Sequence, residues 1–256
     1  MSIENKSLNK ILITSGCSFT NPKNAWPDHL SKKLDFNLEN IAFASQGNGL
    51  ISRKLIYNIS QIPKSNLDNI IVGIMWSGID RSERFIETTG DIFFKLEEFK
   101  NENVTSVIPE YKNWRLMMSD WVKYQDCKFH YEIFNNIISS KVYTIENILR
   151  TQWFLEKHNI KYFMSTYMNI FKDRNSNDHP DVKYLYNMID FSKFLPVSGC
   201  FEWVKENYPK EFREFDKNGN IIDFHPTDFG HERFTDEVII PYLEEKYSIQ
   251  KKIKII

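Results

Sequence analysis

Cysteine is scarce in this chain. Cys17, Cys127 and Cys200 are the three in 256 residues, an odd number with no C-x-x-C spacing, which argues against a disulfide framework and a cysteine zinc site. Long apolar runs are missing too. Residues Met1 to Lys10 are polar, and the apolar stretch behind them is only about five residues, too short for the core of a secretion signal. No later run approaches the roughly 20 residues of a membrane span, so a soluble, cytoplasmic protein is expected. Neither sign of charge is in excess: 33 basic and 34 acidic residues leave a net charge of -1, and nothing indicates a general affinity for nucleic acid or an acidic membrane. There is no internal repeat and no low-complexity tract. His179, between Asp178 and Pro180, is too isolated to argue for a metal, so no metal or other cofactor is expected. The oligomeric state is left open.

What is present is a hydrophobic fraction of 41%, ample for a core, and an aromatic fraction of 15%. The organising stretch is Ile11-Leu12-Ile13-Thr14-Ser15-Gly16-Cys17-Ser18-Phe19-Thr20. A β-branched apolar run breaks at a glycine, delivers a serine two residues later and leads into a helix near Trp26 to Leu34. The scheme recurs. Glu39 to Ala44 reads as a short strand opening into Ser45-Gln46-Gly47-Asn48-Gly49 and a helix with Leu50, Ile51, Leu55, Ile56 and Ile59 on one face. Asn69 to Met75 is near-continuously apolar, as in a strand buried on both sides of a parallel sheet, and it ends in Trp76-Ser77-Gly78-Ile79-Asp80-Arg81.

From about Ile86 to Asp126 the pattern weakens, and this is read as an insertion covering the site. A long helix is expected over Ile133 to His158, closed by Asn159, and a strand over Lys161 to Thr166. Asp173 to Asp181 is a polar loop, and the segment up to Phe215 reads as short helices and turns. Lys217-Asn218-Gly219-Asn220 is a turn signal. Thr227 or Asp228 caps a last helix with Phe234, Val238, Ile239, Tyr242 and Leu243 on its buried face, and the tail from Lys251 is frayed or an edge strand. Strands alternating with helices point to one α/β domain over residues 1–256.

Ser18 would stand at the carboxyl end of a buried parallel strand, where open α/β sheets bind their ligands. A serine hydroxyl is a weak nucleophile until a base takes its proton. The far end of the chain offers one in Asp223-Phe224-His225-Pro226, followed by Gly230 and His231. In an extended segment residues two apart share a side, which puts Asp223 within reach of the His225 ring.

These separated pieces resemble the SGNH hydrolases, also called GDSL-type esterases and lipases. Gly16-Cys17-Ser18-Phe19 is similar to the first block of that family, with Cys17 where an aspartate is usual. Asn40-Ile41-Ala42 leading to Gly47-Asn48 resembles the second block, and Asp223-Phe224-His225-Pro226 with Gly230 and His231 resembles the last. Two departures are visible. The third block lacks its asparagine, reading Trp76-Ser77-Gly78, and the acid stands two residues before the histidine, since Ile222 occupies the usual place three before it.

The resemblance implies a three-layer α/β/α sandwich with a mostly parallel, flavodoxin-like sheet of about five strands. It implies Ser18 as nucleophile, His225 as base and Asp223 as the group that orients it. Backbone N–H groups of Ser18 and Gly47 would receive the developing oxyanion, with Ser77, Asn48 or an N–H near Gly78 as third donor. The implied activity is hydrolysis of a small acyl ester, an O-acetyl group on a carbohydrate, with an acyltransferase or a non-catalytic carbohydrate-binding or scaffold protein as alternatives. The expected partner is therefore a small-molecule or carbohydrate ester.

Simpler roles stand beside these. Gly47 can be a helix-start glycine needed for backbone freedom alone, and His231 a packing or capping group. Asp223 can be an ordinary turn acid, with Asp216 or Asp228 as other orienters. Trp76, Arg81 and Glu83 can line a pocket, or Arg81 can form a surface ion pair with Asp80 or Glu83. Cys17 reads as a buried filler.

Overall fold

The computed structural model describes residues 10–85, 114–117, 128, 130–172 and 179–251. The chain opens with β1 (Ile11–Ser15), α1 (Trp26–Leu34), β2 (Asn37–Asn40), α2 (Asn48–Ser60) and β3 (Ile70–Trp76). A short pair, β4 (Ser82–Phe85) and β5 (Trp114–Met117), precedes α3 (Ile137–Lys157), β6 (Lys161–Thr166), α4 (Pro180–Tyr186) and α5 (Cys200–Asn207). The hairpin β7 (Phe212–Phe215) and β8 (Ile221–Pro226) leads to α6 (Asp228–Phe234) and, beyond a π turn at Thr235–Ile239, to α7 (Ile240–Tyr247).

β1, β2, β3 and β6 form one parallel sheet in the order β2-β1-β3-β6. Period-two alternation sends Leu12, Ile71, Met75 and Phe163 to one face, against α1, α5, α6 and α7. Ile13, Val72, Ile74, Tyr162 and Met164 go to the other, against α2, α3 and α4. A sheet buried on both faces by helices is a three-layer α/β/α sandwich. The chain steps from β1 outward to β2 and returns past β1 to β3, so the strand order reverses at β1, the switch point where such sheets leave a crevice.

Three expectations shift. The fifth strand is reduced to a single parallel bridge between Met164 and Phe194, with the Leu195 N–H on Met164 O at 2.8 Å. Pro196 follows and has no N–H to continue a ladder. The second strand covers Asn37–Asn40 instead of Glu39 to Ala44: the Ile41 and Phe43 N–H groups still reach Thr14 O and Gly16 O at 2.9 and 3.2 Å, but the Ala42 N–H turns to the Asn40 side chain at 3.1 Å and the regular pairing stops. The segment read as short helices and turns up to Phe215 holds α4 and α5 but ends in an antiparallel hairpin, with Asp216 Oδ1 accepting from the N–H groups of Asn218 and Asn220 at the loop.

The insertion expected over residues 86–126 lies outside the described residues, apart from β5, which pairs antiparallel with β4 at its stem. Cys127, the first nine residues, residues 173–178 and those after Lys251 also lie outside them. Among the described residues no helix is long and apolar enough to cross a membrane.

Candidate active site

β1 delivers Ser18 at the switch point. The strand ends at Ser15, and the Thr20 and Asn21 N–H groups both fold back onto Cys17 O, at 2.9 and 3.0 Å, closing a tight turn. Gly16 is required by close approach: a Cβ there would stand 2.3 Å from Thr20 Oγ1 and 3.0 Å from Met75 O. Cys17 and Phe19 point into the core, and Ser18 between them is half-buried.

β8 brings the other end of the chain to the same place. Because the hairpin is extended, Asp223 and His225 point to one side. Asp223 Oδ1 accepts both the His225 backbone N–H at 2.9 Å and the ring Nδ1 at 2.5 Å. His225 Nε2 lies 2.7 Å from Ser18 Oγ. An ionised carboxylate only accepts, so Nδ1 carries the ring proton and Nε2 is left to accept from the serine hydroxyl. Asp223 is held below the usual carboxylate range. Burial works against its charge, but the His225 N–H and ring, together with Arg213, outweigh it.

The neighbours fix the imidazole. Phe19 packs against the His225 ring at 4.8 Å, Tyr167 stands edge-on to Phe19 at 5.1 Å, and the Arg81 guanidinium lies 5.1 Å from the Tyr167 centroid. Thr227 caps α6 through the Gly230 N–H and donates from its hydroxyl to Glu211, pinning the end of β8. His231, one turn on, is buried, and neither ring nitrogen has a partner among the described residues. Burial, with Arg213, His29 and His225 nearby, drives its pKa down to about 3, so it stays neutral.

Gly47 is the N-cap of α2. The loop before it is tied to the nucleophile turn, since the Phe43 N–H and Gln46 Nε2 both donate to Gly16 O, at 3.2 and 2.6 Å. No acceptor for the N–H groups of Ser18, Gly47 or Gly78 is found among the described residues. Asn48 is different. Its Oδ1 accepts the Ser77 N–H at 2.8 Å, and its Nδ2 faces Ser77 O at 3.2 Å, Gly78 O at 3.4 Å and Thr144 Oγ1 at 3.1 Å. The amide braces the turn after β3 from inside the core and has no hydrogen left for a ligand. Ser77 is also buried, its hydroxyl accepting from Arg81 Nη1 at 3.0 Å.

The structure thus joins Ser18, His225 and Asp223 into one hydrogen-bonded chain. Two pocket-lining expectations are corrected. Trp76 is sealed in the core with its indole N–H on Met164 Sδ, and Glu83 is a buried partner of Arg53 instead of a surface partner of Arg81. The bracing roles of Gln46 and Asn48 and the packing of Tyr167 depend on contacts far apart in sequence, and no local pattern announces them. A groove of about 920 Å³ opens elsewhere, beyond β6, lined by Asn169, Phe171, Phe191, Phe194, Glu202 and Trp203. It includes no triad residue, so the hydrogen-bonded chain and not cavity size locates the chemistry.

No protein-family model matches the chain, and no curated protein matches it in sequence. In structure it is similar to TesA, with a TM-score of 0.48, 13% identity and coverage of 92% of this chain and 99% of that one. A putative lipolytic protein of the G-D-S-L family from Desulfitobacterium hafniense gives a TM-score of 0.40 at 11% identity, covering 89% and 97%. An acetyl xylan esterase from Butyrivibrio proteoclasticus gives 0.41 at 11% identity, covering 93% of this chain and 64% of that one.

Proposed function

We propose that the chain is a serine esterase of the SGNH type that hydrolyses a small acyl ester. The observation that carries this reading is the unbroken path from Ser18 Oγ through His225 to Asp223, with contacts of 2.7 and 2.5 Å. Ser18 Oγ attacks the ester carbonyl carbon while its proton passes to His225 Nε2. The tetrahedral intermediate then collapses, and the same proton goes to the leaving alcohol. Water repeats the sequence on the acyl-serine and releases the acid. Asp223 holds the imidazole in the required tautomer and stabilises its charged form.

The oxyanion donors we propose are the N–H groups of Ser18, Gly47 and Gly78. This revises the wider set considered from sequence, because the Asn48 amide and the Ser77 N–H bond to each other. The substrate class we propose is an O-acetyl group on a carbohydrate. Transfer of the acyl group to a sugar hydroxyl would use the same triad. The missing side-chain donor after β3 favours, as a second reading, a carbohydrate-binding protein that retains the fold without turnover.

The test is hydrolysis of p-nitrophenyl acetate and of acetylated sugars by wild type, Ser18→Ala and Ser77→Ala at matched folding. Turnover is expected in wild type, none in Ser18→Ala, and only a small change in Ser77→Ala. Wild type no faster than Ser18→Ala on every acyl ester would reject the enzyme in favour of the binding protein.

A further inference from the structure

Glu83 lies on β4, outside the triad, and its side chain is 0% exposed. A carboxylate is kept in a core only where partners offset the loss of water. Two helices supply them: Arg53 Nη2 from α2 and the Tyr143 hydroxyl from α3 donate to Oε2 at 3.1 and 3.0 Å. The other oxygen, Oε1, has no hydrogen-bond partner among the described residues.

The carboxylate is pressed against the first turn of α2. A Cβ on Gly47 would stand 2.5 Å from Oε1, and one on Gly49 would stand 2.6 Å from Oε2. These two glycines leave the space that the carboxylate fills. Asn48 between them turns inward and grips Ser77 and Gly78. The turn is therefore clamped from two directions. Burial pushes the Glu83 carboxyl up, opposed by Arg53, the Leu50 N–H and the Tyr143 hydroxyl.

Building on the esterase reading, we propose that Glu83 is a positioning residue that fixes the Gly47–Gly49 turn and thereby aims the Gly47 N–H at the developing oxyanion. An interaction made only in the transition state lowers kcat and kcat/KM together when lost. An ion pair that merely supports the fold would change the folded fraction and leave kcat per folded molecule alone.

The experiment compares wild type, Glu83→Gln and Glu83→Ala by p-nitrophenyl acetate kinetics, with kcat referred to folded protein, and by amide hydrogen exchange. In Glu83→Ala the expected result is a loss in kcat of about 10²-fold, the scale of one oxyanion donor, with KM nearly unchanged. Exchange at Gly47 to Leu50 should quicken while β1 and β3 stay protected. Glu83→Gln keeps the shape and the acceptor for Tyr143, and should recover most of the activity. Unchanged kcat in Glu83→Ala, or a change confined to KM, would overturn the proposal. If wild type turned over no ester, the esterase reading would fall on that result and the catalytic part of the proposal with it. Exchange at Gly47 to Leu50 would still decide the clamp, and unchanged exchange in Glu83→Ala would refute it. Should Glu83→Ala not fold, Glu83→Asp, which withdraws the carboxylate from the glycines, gives the same comparison with the same outcomes.

Discussion

Asp223 stands two residues before His225, and the extended backbone of β8 lets that spacing work. One carboxylate oxygen meets both the backbone N–H and the ring of the same histidine, which a helical segment would not allow with this spacing. Asp223→Asn should preserve the fold and reduce kcat by up to about 10⁴-fold, because the amide can favour the wrong imidazole tautomer; steady-state kinetics on p-nitrophenyl acetate check this. His231 carries a separate prediction. Its folded pKa of about 3 lies below the ordinary 6.5, so in acid the unfolded chain takes up a proton that the folded chain refuses. Stability present above about pH 6.5 should fall by up to about 1.4 kcal/mol per pH unit as the pH drops toward 4. Urea unfolding at stepped pH should show this slope in wild type and a shallower one in His231→Phe. The chemistry-bearing residues were legible in sequence because each has a short local signature: a serine after a strand-ending glycine, and an acid two before a histidine. Glu83 and Gln46 had none, since their roles consist of partners 30 or more positions away.

At the scale of elements, local pattern served where a segment is buried on a regular period. α1 at Trp26–Leu34 and β6 at Lys161–Thr166 stand where the apolar spacing places them. It failed where a strand lacks a regular buried period. Asn37 and Asn40 bound an edge strand that strand propensity disfavours, and β7 and β8 form a two-stranded ribbon whose exposed Phe215, Ile222 and Phe224 mimic no single buried face. The Asn48 brace is the sharpest case, joining the start of α2 to the end of β3. Asn48→Ala would take the partner from the buried Ser77 N–H and a donor from Ser77 O, while Gly78 O would keep the Arg81 N–H. A loss of about 1–3 kcal/mol is expected for the unsatisfied donor alone. It should appear in urea titration as a lower midpoint with an unchanged slope, accompanied by lower turnover.

For the whole molecule, the central sheet is shared by two hydrophobic cores. Neither can open without exposing the strands that line the other. Thermal unfolding followed by near-ultraviolet and far-ultraviolet circular dichroism should therefore give coincident transitions; two separated transitions would mean that the chain is divided into independent units. The separate β7–β8 hairpin meets the carboxyl end of β1 in that sheet, so Ser18, just past β1, and His225, on β8, come together from more than 200 positions apart. Covalent capture tests that convergence. Wild type incubated with an alkyl fluorophosphonate should gain the mass of one adduct, mapped by peptide mass spectrometry to Ser18. Both Ser18→Ala and His225→Ala should stay unlabelled over the same time. Labelling of Ser18 undiminished in His225→Ala, labelling at another serine, or none in wild type would contradict the account.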